Sequence, residues 1–88
     1  MENYNLSADM GLDITFNFIK DRMKTLGISQ HNLAKLTDVN ESTLSRNFKK
    51  QSEMSFRTYY KICGALKLRP YLITAEDDDT EMQRLYHN

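Results

Sequence analysis

Apolar residues recur at three- and four-residue spacing along most of this chain, the period of helices that bury one face. From Asp13, a natural N-cap, to Leu26 the apolar set is Ile14, Phe18, Ile19, Met23 and Leu26. Gly27 follows at the place a left-handed C-cap wants. Ser29 predicts the cap of a second helix from Gln30 to about Thr37, with Leu33, Ala34 and Leu36 turned inward. Asp38 falls in the turn and Val39 points back to the core. Asn40 then caps a third helix in which Leu44 and Phe48 share a face. Lys49 to Met54 is polar and aperiodic, hence a loop. Ser55 caps a fourth helix to about Leu66, with Phe56, Tyr59, Tyr60, Ile62, Cys63 and Leu66 as its apolar set.

The two ends read differently. Residues 1–12 show no clear period and are expected to form an N-terminal arm. Pro70 removes a backbone donor and stops any simple helix. Tyr71, Leu72, Ile73 and Thr74 then predict a short strand, and Asp79 caps a last turn or two holding Met82, Leu85 and Tyr86. The expected fold is all-α, a small four- to five-helix bundle with a candidate short C-terminal strand. Its divisions are an arm at 1–12, a helical domain at 13–68 and a strand with an acidic tail at 69–88.

Eighty-eight residues allow one modest core. Hydrophobic residues at 40% and charged residues at 27% describe an ordinary globular chain. Cys63 is the single cysteine, so no internal disulfide forms and a reducing compartment fits. No apolar run reaches a membrane span and the start lacks a secretory pattern, so a cytoplasmic location, bacterial or phage-encoded, is expected. The zero net charge is unevenly laid out: residues 13–75 hold eleven Lys or Arg against five Asp or Glu, a surplus of six. The last thirteen residues set five acidic side chains against Arg84 alone. A basic body with an acidic tail suits phosphate contact.

The segment Ser29 to Lys50, SQHNLAKLTDVNESTLSRNFKK, reads as two short helices joined by a tight turn, the second offering small, polar, hydrogen-bonding side chains. That is the layout of a helix-turn-helix DNA reader. Ser29-Gln30, Leu33-Ala34, Val39, Ser42-Thr43-Leu44-Ser45-Arg46, Ser55-Phe56 and Ala65-Leu66 together resemble the phage-repressor and Cro-like family, the XRE-type regulators, over roughly Ile14 to Leu68. Small Ala34 lets two helices cross closely, while Leu33, Val39 and Leu44 clamp the corner from inside. Three positions depart from the family pattern: Asp38 stands where Gly is favoured, Thr37 where an apolar residue is usual, and Asn47 where an aliphatic is usual. Asp tolerates a left-handed backbone. Asn47 suggests a slightly rotated third helix in which Phe48 fills the core.

The resemblance implies that the third helix enters the major groove of double-stranded DNA. Glu41, Ser42, Thr43 and Arg46 are the expected base contacts: Arg can take guanine bidentately, Glu can accept from cytosine N4, and the Thr methyl can touch thymine. Glu41 also suits the positive end of its own helix. Gln30, Asn32, Ser45, Lys49, Lys50 and Arg57 are the expected phosphate contacts. Family members dimerise on paired half-sites, and the expected dimer contacts are Tyr71, Leu72, Ile73 and Leu85.

No enzyme chemistry is legible. His31 and His87 have no second ligand at metal spacing, there is no Gly-rich phosphate loop, and Cys63 lies on a core face. No metal or cofactor is expected. The competing reading is a protein-interaction or antitoxin-like module that keeps the fold and engages a partner protein through the acidic tail from Glu76.

Overall fold

The structure is a computed structural model and describes residues 3–77. Four helices follow one another: α1 (Asn5–Leu26), α2 (Gln30–Thr37), α3 (Glu41–Phe48) and α4 (Phe56–Ala65), then a 3₁₀ turn at Ala75–Asp77. The fold is all-α, and there is no strand among the described residues. Residues 71–74, expected as a strand, have no regular structure. The reason is topological: a strand needs a neighbour to accept its backbone bonds, and the described residues offer no other extended segment. The expected last turn at Met82, Leu85 and Tyr86 lies outside the described residues.

Three helix starts form as the sequence implies. Ser29 accepts a hydrogen bond from the Asn32 amide at 3.1 Å, Asn40 from that of Ser42 at 2.9 Å, and Ser55 from that of Thr58 at 3.1 Å. Each such cap is worth about 1 kcal/mol because it satisfies a donor the helix cannot. The C-terminal ends also follow the sequence. Gly27 (φ 67°) closes α1 and Asp38 (φ 53°) closes α2, both left-handed.

Helix α1 departs from expectation at its start and in its face. It begins at Asn5, whose amide is received by Asn3 Oδ1 at 2.9 Å, and not at Asp13. The residues that enter the core are Phe16, Ile19 and Met23, whereas Ile14, Phe18 and Leu26 are exposed. α1 is apolar on two faces, and the period alone does not rank them.

The core joins Phe16, Ile19 and Met23 to Leu33, Ala34, Leu44, Phe48, Ile62 and Leu66, with Val39, Ile28, Met54 and Tyr59 packed around them. Phe16 and Phe48 meet edge to face with centroids 5.5 Å apart, a pairing worth about 1 kcal/mol beyond burial. Arg22 Nε donates to the Leu66 carbonyl at 2.9 Å and so ties α1 to the end of α4. Cys63 is buried, as expected. Phe56 and Tyr60 are not core residues: they stack on the surface, centroids 6.4 Å apart.

Candidate nucleic-acid interface

The corner formed by α2 and α3 is set by residues that face inward. Leu33, Ala34 and Leu44 are buried at the crossing, and Val39 is half-buried against them. The next inward position of α2 is Thr37, not Leu36, which is exposed. Burying a hydroxyl is costly unless it is bonded, and Thr37 Oγ1 donates to the Leu33 carbonyl at 2.7 Å. The polar residue at a usually apolar place is thus accommodated within one helical turn.

Asn47 is accommodated in a similar way. It is buried together with Phe48, so α3 is not rotated to exclude it; Leu44, Asn47 and Phe48 form one inward face. Its Nδ2 donates to Ser52 Oγ at 3.0 Å and to the Ser52 carbonyl at 3.3 Å. A side chain that reads as a misfit is therefore the clasp of the loop after α3. Lys50, at φ 60°, makes the sharp bend that brings Ser52 back.

With the inward face fixed, the outward side chains of α3 have defined places. Glu41, Ser42 and Arg46 are exposed and Thr43 is half-exposed. Arg46 Nη2 donates weakly to Thr43 Oγ1 at 3.4 Å, aligning the two expected base contacts. The Ser42 hydroxyl is committed to the cap, donating to Asn40 Oδ1. Glu41 Oε2 lies 2.8 Å from His31 Nδ1, so the start of α2 holds the start of α3 by a pair the sequence gives no sign of. His31 and Glu41 belong to one corner only once the turn has folded.

The expected phosphate contacts are distributed over several elements. Gln30, half-buried, and exposed Asn32 open α2; Ser45 is half-buried on α3; exposed Lys49 caps its end. Lys50 is exposed but paired with Asp13 Oδ1 at 2.6 Å. That hydrogen bond is the main reason its pKa is raised; the charges of Asp13 and Asp9 add to it, against a smaller desolvation. Arg57 is exposed at the start of α4. Of the expected dimer contacts, Tyr71, Leu72 and Ile73 are exposed, and Leu85 lies outside the described residues.

Sequence reasoning missed three positions that shape this region: His31, Asp13 and Arg22. Asp13 and Lys50 are 37 residues apart, and no local pattern links them. No group of three His, Cys, Asp or Glu among the described residues is placed to hold a metal ion. No helix among them is long and apolar enough to cross a membrane.

This arrangement offers duplex DNA a short helix whose inner face is locked and whose outer face carries a carboxylate, a hydroxyl and a guanidinium. Comparison with known proteins agrees: the model of the Cro/C1-type HTH DNA-binding domain family matches residues 19–71. No curated protein and no solved structure matches the chain.

Proposed function

The chain belongs to the Cro/C1-type helix-turn-helix DNA-binding domain family, and from that premise we propose that it is a sequence-specific regulator of transcription that represses by occupying its site. The coarser part follows from membership: this is a DNA-binding domain of a kind that regulates transcription. The finer part is that α3 lies in the major groove and that two copies read paired half-sites.

The observation that supports this reading best is the division of labour on α3. Leu44, Asn47 and Phe48 hold the helix from inside, which leaves Glu41, Thr43 and Arg46 outward on its first two turns. Arg46 is the residue suited to guanine, and the Thr43 methyl to thymine. Ser42 acts first as a cap partner. Gln30, Asn32, Ser45, Lys49, Lys50 and Arg57 supply phosphate contacts that position the helix. Dimerisation matters because one short helix gives little affinity or specificity.

The test is selection of bound sites from random duplex DNA with purified full-length protein. An enriched inverted repeat, with half-sites about ten base pairs apart, is the expected result. A folded protein that enriches no sequence even at low salt would overturn the proposal. Attention would then pass to a partner protein and to the acidic tail.

A further inference from the structure

His31 and Glu41 are ten residues apart in the chain and meet across the corner, His31 Nδ1 lying 2.8 Å from Glu41 Oε2. An ionised carboxylate only accepts hydrogen bonds, so Nδ1 carries a proton and donates it. Both side chains are exposed, and an exposed pair adds little to stability. What the contact fixes is a direction.

Glu41 is not the cap of its own helix. Asn40 caps α3 through the Ser42 amide at 2.9 Å and also receives the Ser42 hydroxyl. A carboxylate that served only the positive end of α3 would need a charge and no particular bearing. Here His31 holds Oε2, and Glu41 has no second partner among the described residues. A group ordered before its ligand arrives loses less freedom on binding.

The charges at the corner point the same way. His31, Lys35, Asp38 and Glu41 line one open depression. Lys35 and Asp38 carry opposite charges, which leaves the Glu41 carboxylate in excess whenever His31 is neutral. Phosphates repel such a charge. An imidazolium at His31 cancels it and keeps the Nδ1 donor in place.

We propose that His31 is a positioning residue for base reading: by donating to Oε2 it turns Oε1 of Glu41 toward the exocyclic amine of a cytosine, and by taking up a proton it lets that carboxylate approach the duplex. This rests on the DNA reading above. Cytosine N4 is a donor in the major groove, whereas thymine O4 and guanine O6 and N7 are acceptors, and adenine sets an acceptor beside its amine. With Oε2 held by His31 and Oε1 by the amine, neither oxygen enters the groove unpaired. Recognition at this base pair is thereby coupled to the proton on His31.

The experiment measures binding of wild type, Glu41→Ala, His31→Ala and His31→Asn to the selected duplex and to its single-base variants. Asn keeps a side-chain N–H near the place of Nδ1 but takes up no proton. Wild type should prefer cytosine about tenfold at one base pair, which Glu41→Ala identifies by losing the preference. His31→Ala should lose the same preference while keeping the one due to Arg46, and His31→Asn should restore it. Wild-type affinity should also fall as pH rises from about 6 to 8, where an imidazole gives up its proton. The fall should be smaller in His31→Asn; His87 is common to both proteins, so the difference reports His31. An unchanged preference in His31→Ala, no restoration by His31→Asn, no preference lost in Glu41→Ala, or equal pH profiles would each overturn the role of His31. A wild type that enriches no sequence overturns the DNA reading and this role together. A site whose preferences depend on Arg46 and not on His31 leaves that reading standing and removes this role alone.

Discussion

Lys50 Nζ lies 2.6 Å from Asp13 Oδ1, tying the loop after α3 to the middle of α1. A side chain expected on a phosphate is thus already held by a carboxylate, which DNA must displace. Asp13→Asn should therefore tighten binding to any duplex at low salt. The gain should fade as salt rises, because screening weakens both the hold of Asp13 on Lys50 and its repulsion of the backbone. Because the pair is exposed, the thermal midpoint should hardly move. Equal affinities for the two proteins at low salt would show that Lys50 contacts no phosphate.

Arg46 and Lys49 should separate base reading from backbone contact. Arg46→Ala is expected to cost about 1–3 kcal/mol on the selected site and to relax preference at one base pair. Lys49→Ala should weaken all sequences alike and lower the salt slope by about one. Competition binding with half-sites altered one base at a time distinguishes the two patterns.

The two buried polar residues of the corner are not equivalent. Thr37 donates to a carbonyl of its own helix, so Thr37→Val should change stability by less than about 1 kcal/mol. Asn47 clasps Ser52 from a buried position, so Asn47→Ala leaves a cavity and an untied loop, at about 2–3 kcal/mol. Urea unfolding of both variants gives the comparison, and equal losses would contradict the clasp.

Asp38 closes α2 in the left-handed region. Asp38→Gly should hold or raise stability, while Asp38→Ala should lower it by about 1 kcal/mol. Thermal unfolding is sufficient to check the order.

Three groups hold their protons more tightly in the folded chain. Lys50 does so through Asp13; Tyr59 through burial and then Cys63; Cys63 through burial, against a hydrogen bond from Tyr59. All three pKa values are raised, so their contribution to stability is complete below the unfolded values and lost as pH climbs through the folded ones. Urea midpoints should therefore be insensitive to these groups up to about pH 8.5 and fall above it. The Cys63 thiol should alkylate slowly in the native chain and quickly once unfolded.

What could be read from the sequence was what acts locally. Ser29, Asn40 and Ser55 cap helices within three residues of themselves, and Leu33, Ala34 and Leu44 follow the helical period, so their roles were visible beforehand. The start of α1 was hidden because Gly11, a poor helix former, sits within its first turns. The choice between Phe18 and Phe16 for the core depends on which side of α1 meets Phe48 of α3, and periodicity does not report that. The strand at Tyr71–Thr74 failed because propensity does not supply a neighbour. His31–Glu41 and Asp13–Lys50 become pairs only after the chain has folded back.

The clasp of Asn47 on Ser52 and the bond of Thr37 to Leu33 have a consequence for descent. Both are completed within five residues and neither involves the outward side chains of α3. Mutations at Thr43 or Arg46 can then accumulate with little effect on folding. On the function proposed above, a lineage built on this corner is free to change which operator it recognises while inheriting the same scaffold.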